Sequence, residues 1–174
     1  MNNEQSSPPT GTTGAPDAAG AVGRMQLVTL ELAGERCAVD IHAVREINRL
    51  TELTRVPKCP AEIAGVINLR GKILPVVNLR EVFAFPRAEW GDQARIVVLE
   101  HGSRETGVIV DRVHEVLRVD SALMDPTPVM MRTVDTSFIS GIAKLRDRLL
   151  IVLDLERLFR ALNLADLDLP GEAA

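Results

Sequence analysis

The alternation of apolar and polar residues is sharpest between Gly65 and Arg80. Val66, Ile67 and Leu69 are apolar, Arg70-Gly71-Lys72 is polar, and Ile73, Leu74, Val76, Val77 and Leu79 are apolar again. Two apolar runs of strand length around a short glycine-containing break predict a β-hairpin, with Gly71 free to take a positive φ. Leu79 to Phe83 reads as the first turn of a helix. The pattern returns between Gly141 and Phe159, 76 residues later (141 − 65), with Gly65/Gly141, Leu69/Leu145, Arg70/Arg146, Val76/Val152 and Phe83/Phe159 in register. Upstream, Leu27–Glu31 matches Ile96–Glu100 at an offset of 69 (96 − 27), which also aligns Val44 with Val113 and Glu46 with Glu115. The chain therefore reads as two related units in tandem, the second carrying about seven extra residues near Met130 to Phe138.

The remaining positions fill in around these hairpins. Leu27–Leu32 and Cys37–Ile41 are predicted as strands joined by a turn at Ala33–Arg36, and Arg95–Glu100 and Gly107–Val110 as their counterparts. Ile41, Val44, Ile47 and Leu50 recur at helical spacing and predict a short helix or irregular turn, with His42, Arg45, Glu46 and Arg49 opposite. Thr51–Pro57 is expected to be extended, because a residue before proline avoids the helical region. Pro60–Gly65 reads as one helical turn. Asp111–Val116 is compatible with an extended segment or a helical turn, and a C-terminal helix is expected over about 154–167. Short strands at regular spacing indicate a mainly β fold of two small barrels, one over about 27–85 and one over about 93–160, with short helices. Pro86–Asp92 is the link. Residues 1–24 and 168–174 are expected to be disordered tails, since Ser, Thr, Pro, Gly and Ala bury too little surface to offset ordering entropy.

Composition narrows the function. Over 174 residues, 46% are hydrophobic and 25% charged, as in an ordinary soluble globular chain. A net charge of −4 speaks against nucleic acid, and 3% aromatics with no Tyr speaks against base stacking. No apolar run reaches membrane-span length, and the N-terminal region lacks the pattern of a signal peptide. Cys37 and Cys59 lack metal-ligand spacing and are expected as reduced thiols. His42, His101 and His114 stand in no ligand or catalytic pattern. Gly65 to Gly71 lacks the Lys-Ser/Thr ending of a phosphate loop. No catalytic residue, cofactor or metal is predicted, and a small β-barrel enzyme is the rival reading.

Four segments in combination resemble the signature of CheW, the family of bacterial chemotaxis coupling proteins: Val44-Arg45-Glu46-Ile47, Gly65-Val66-Ile67-Asn68-Leu69-Arg70-Gly71, Pro75-Val76-Val77-Asn78-Leu79-Arg80 and Gly107-Val108-Ile109-Val110-Asp111. The resemblance runs from about Gln26 to Phe159. It implies paired five-stranded SH3-like barrels and a non-enzymatic adaptor in the cytoplasm, recruited to membrane-associated receptor arrays. Its implied partners are the cytoplasmic tip of a methyl-accepting chemoreceptor and the regulatory domain of a CheA-type histidine kinase. Carried over by position, Val44, Glu46, Ile47, Gly65, Asn68 and Arg70 would form the receptor-binding surface, with Val44 and Ile47 lining a groove and Glu46 and Arg70 its charged rim. The kinase surface is expected on other exposed barrel ends, its residues unassigned. Asn78 replaces the family's usual Asp, and Cys37 stands where an aromatic residue is common. Coupling proteins of gliding, pilus and surface-sensing systems share the signature.

Overall fold

The computed structural model describes residues 23–125 and 138–164. The two expected tails, apart from Gly23 and Arg24, and the extra residues of the second unit, apart from Phe138, lie outside the described residues. In chain order the elements are β1 (Arg24–Leu32), β2 (Glu35–Asp40), β3 (Val44–Arg49), β4 (Ile63–Leu69), β5 (Lys72–Asn78), α1 (Leu79–Val82), β6 (Arg95–His101), β7 (Arg104–Val110), β8 (Arg112–Asp120), β9 (Met124–Asp125), β10 (Ile139–Lys144), β11 (Leu149–Leu153) and α2 (Leu155–Ala161). The mainly β expectation holds, and both hairpins form where the alternation placed them. At the tip of the first, Arg70 and Gly71 both take positive φ, 54° and 81°. Two consecutive residues of that kind give the tight turn whose twist matches the flanking strands.

Two sheets result, one ordered β3-β6-β7-β5-β4 and the other β8-β1-β2-β11-β10-β9. The duplication is visible strand for strand. Offsets of 69 and 76 carry β1, β2, β4 and β5 onto β6, β7, β10 and β11, and the pairing orders coincide. Even the parallel contact repeats: β5 meets β7 with Val76 opposite Gly107, and β11 meets β2 with Val152 opposite Ala38. The two hairpins fall in different sheets, as the tandem reading requires.

The division into one barrel at about 27–85 and another at about 93–160 is corrected. Hairpin β1–β2 pairs with β8 and β11, and hairpin β6–β7 pairs with β3 and β5. Each sheet takes a hairpin from one repeat and its remaining strands from the other, three in the five-stranded sheet and four in the six-stranded one. The cause is the connections: a single 3₁₀ turn at Ile41–Ala43 carries the chain from β2 to β3, and Asp111 alone joins β7 to β8. Links so short cannot fold a strand back onto the hairpin just left, so the chain crosses to the other sheet.

Three local expectations are also corrected. Val44–Arg49 is an edge strand with a bulge between Val44 and Glu46, and its apolar spacing of three arises from that bulge rather than from a helix. Pro60–Gly65 holds a turn followed directly by β4. The C-terminal helix ends at Ala161, short of 167, and Asn163 at φ 48° turns the chain out of it. Asp111–Val116, whose pattern is compatible with a strand or a helical turn, is extended and belongs largely to β8.

The main core lies between the sheets and takes Leu30 and Val39 from one, Val77, Val97 and Val108 from the other, and Leu158 from α2. Smaller clusters fill each barrel, around Leu27 and Leu150 in one and around Leu74 and Ile96 in the other. The helices are short but capped: Asn78 Oδ1 accepts the amide of Arg80 at α1, and Asp154 Oδ1 accepts that of Arg157 at α2. Asn78 thus fills the cap that an Asp fills in the second copy.

Candidate docking site

Strands β3 and β4 are the two edges of the five-stranded sheet, so the barrel has a seam where they face each other. The seam is bridged by charge. Arg70, on the β4–β5 turn, places Nη2 3.1 Å from Oε2 of Glu46 on β3. Asn48 Nδ2 donates to the other oxygen, Glu46 Oε1, at 2.6 Å, so both carboxylate oxygens are engaged. The arginine side chain is 81% exposed and the glutamate 20%. An ion pair this open contributes at most about 1 kcal/mol to stability. Asn68 Oδ1 accepts the Gly71 amide at 2.9 Å, which pins the turn that aims Arg70.

Ile47, next to Glu46 in β3, is 42% exposed, one of four large aliphatic side chains exposed among the described residues. Val44 behaves differently: it packs against the main core. The structure therefore does not bring Val44 and Ile47 into one groove wall, as the family resemblance implied. Gly65 is buried in β4 beneath Thr54, whose N and O pair with Val66 at 3.0 and 2.8 Å. Its place is in the backbone below the seam. Glu46, Asn68 and Arg70 are brought together at the seam, Ile47 follows Glu46 on β3 but points to the strand's other face, and Asn48 is the member that sequence reasoning missed. Its position two residues beyond Glu46 was the available signal, since on a strand that spacing returns to the same face.

The second barrel carries a counterpart. Arg148, on the β10–β11 turn, places Nη2 2.7 Å from Oε1 of Glu115 on edge strand β8. Glu115 is the residue aligned with Glu46, but the arginine is two positions beyond Arg146, the one aligned with Arg70. Val116, aligned with Ile47, is also exposed.

Elsewhere the polar groups are engaged structurally. His114 Nε2 lies 2.8 Å from Glu31 Oε2. A cleft of about 590 Å³ under residues 50–61 is lined by Leu53, Val56, Cys59, Glu81, Arg87 and Trp90. Among the described residues no group of His, Cys, Asp and Glu has the arrangement of a metal site, and no helix is long and apolar enough to cross a membrane. Both cysteines are free thiols. Burial pushes the Cys37 thiol up to about 12, because a thiolate there would lose its hydration. Cys37 therefore stays neutral and unreactive in the folded chain, whereas Cys59 is half-buried. With a thiol-specific chromogenic disulfide at pH 8, we expect only Cys59 to react quickly in native protein, and both to react in denaturant. Rapid reaction of two thiols in native protein would contradict this placement.

Two SH3-like barrels sharing a core, with a rigid charged seam at the surface, define a protein-docking scaffold. The profile of the CheW-like domain family matches residues 26–163, and the chain belongs to that family. It is 33% identical over 150 residues to the chemotaxis protein CheW of Klebsiella aerogenes, covering 86% of this chain and 90% of that protein. It is also 33% identical over 137 residues to CheW of Rhizobium meliloti, covering 79% and 88%. Among solved structures, the crystal structure of the scaffolding protein TtCheW from Thermoanaerobacter tengcongensis superposes with a TM-score of 0.73 at 38% identity, covering 78% of this chain and 87% of that one. The chain is a chemotaxis scaffold of the CheW type and not an enzyme.

Proposed function

We propose that this chain couples the cytoplasmic tip of a methyl-accepting chemoreceptor to the regulatory domain of a CheA-type histidine kinase. It acts in the cytoplasm and is recruited to membrane-associated receptor arrays. The receptor tip, a helical hairpin, docks at the β3–β4 seam, with Ile47 as its apolar contact and Arg70, held by Glu46, as its charged rim. The observation that carries this reading is the exposed Arg70–Glu46 pair: it contributes little to the fold, yet Asn48 and Asn68 hold it in one geometry. The kinase domain docks on an exposed barrel end away from the seam, so both partners sit on the chain at once.

The test is size-exclusion chromatography of the full chain with a receptor-tip fragment, with the kinase regulatory domain, and with both. A three-component peak is expected. Displacement of one partner by the other would overturn the separate-surface reading, and elution of the chain alone in every mixture would overturn the adaptor reading.

A further inference from the structure

Two of the signature segments, Leu79-Arg80 and Val110-Asp111, take no part in the seam. They meet inside the molecule. Arg80, on α1, is only 6% exposed, which is rare for an arginine. Its Nη2 is ion-paired to Asp111 Oδ1. Its Nη1 donates to the carbonyl of Ala88 at 2.7 Å, and its guanidinium lies 3.9 Å from the ring centre of Trp90, both residues of the inter-repeat link. Nε is buried without a protein partner. Asp111 is the single residue between β7 of one sheet and β8 of the other. It is bonded to the second barrel twice: its amide donates to Glu31 O at 2.9 Å, and its Oδ2 accepts the Ala33 amide at 2.7 Å. One guanidinium thus connects the helix of the five-stranded barrel, the link, the crossover residue and, through Asp111, the β1–β2 turn of the six-stranded sheet.

The duplication shows that this arrangement is not a by-product of the repeated fold. The positions aligned with Arg80 and Asp111 hold Glu156 and His42. Both are exposed, and Glu156 pairs with Arg160 on its own helix. The repeat conserves the barrels, whereas the buried pair occurs on one side only. A buried ion pair is weak evidence for stability, and its best-attested use is to specify one arrangement over near alternatives. We propose that Arg80 and Asp111 are positioning residues that clasp the two barrels at a single relative orientation. Resting on the adaptor reading, their role is to hold partners docked on different barrels in fixed mutual geometry. The planar fork is essential to the clasp, because an ammonium cannot serve the carboxylate, the Ala88 carbonyl and the Trp90 face together.

Paired spin labels test the proposal. Ser103→Cys, in the β6–β7 turn, and Asp147→Cys, in the β10–β11 loop, place one label on each barrel. Cys59→Ser removes the accessible native thiol, and Cys37 is too buried to label. The distance distribution is expected to be narrow with the clasp intact and to broaden and shift in Arg80→Lys, Arg80→Met and Asp111→Asn, while circular dichroism stays native. The emission of Trp90, the chain's single tryptophan, should shift in both Arg80 variants, reporting loss of the stacked guanidinium. If Arg80→Met fails to fold, Asp111→Asn decides, since it removes the charge and keeps an acceptor for Ala33. An unchanged distribution in folded variants, even with a lower melting temperature, would overturn the clasp and reduce the pair to a stability element. The distances need no partner, so a wild-type chain that binds neither receptor fragment nor kinase domain would defeat the adaptor reading and leave the clasp result standing.

Discussion

Arg70→Glu is expected to abolish binding of a receptor-tip fragment while the fold and kinase binding persist. The arginine side chain is 81% exposed, so its replacement forfeits only an open ion pair. Surface changes of this kind cost about 0.5 kcal/mol, and at most about 1 more where a pair is lost. The turn's positive φ is unaffected, since glutamate and arginine meet the same constraint there. Binding suffers far more. A partner arranged for a guanidinium at the rim would meet two carboxylates at the seam, and such reversals cost several kcal/mol, or more than about a hundredfold in affinity. Calorimetric titration of the variant against each partner, with circular dichroism as control, measures this. The double variant Arg70→Glu with Glu46→Arg restores the internal pair in the opposite sense and should regain stability without regaining the receptor. Unchanged receptor affinity in the single variant would leave Arg70 a solvated turn residue.

Gly65→Ala is expected to damage the fold rather than the interface. Gly65 has φ 156°, and a Cβ there would lie 2.6 Å from the carbonyl oxygen of Thr54 and 3.1 Å from its carbon. Those are backbone atoms fixed by the Thr54–Val66 hydrogen bonds, so they have no side-chain freedom with which to retreat. Backbone strain of about 1–3 kcal/mol and the loss of two hydrogen bonds at about 1 kcal/mol each combine to about 3–5 kcal/mol. Urea denaturation should show a lower midpoint at an unchanged slope. Receptor affinity per folded molecule should stay the same; a specific loss of affinity at full stability would instead make Gly65 a contact. Gly141 repeats the situation, with Asp125 O 2.9 Å from its would-be Cβ. The matched glycines at offset 76 therefore mark two places where the backbone of another segment presses on a hairpin strand.

Local alternation made the hairpins legible, because the apolar runs Val66–Ile67 and Leu74–Val77 are buried while the turn between them, Arg70–Lys72, is exposed, so polarity follows the hairpin. The same logic misled at 41–50. An edge strand has one unpaired side, a bulge shifts its phase, and the result imitated a helical period. The interleaving was hidden for a different reason. Similarity between repeats identifies equivalent strands but not which copy's hairpin each will join, and that is set by a three-residue turn and by Asp111. At the seam, Glu46 and Arg70 were legible only as family signature. Their contact spans 24 residues of sequence (70 − 46), and no periodicity encodes it.

The interleaving also governs how the chain must be assembled. Neither sheet can be completed from one repeat: β1–β2 waits for β8 and β11, and β3–β5 waits for β6–β7. Nearly all pairing outside the hairpins is long-range, so the loop-closure entropy is spent before the contacts that offset it form, and folding belongs to the slow, high-contact-order regime. A cut within 86–92 would therefore yield two fragments with no independent domain between them. Mixed, they would complement each other in a concentration-dependent reaction, recovering the dichroism of the intact chain only together.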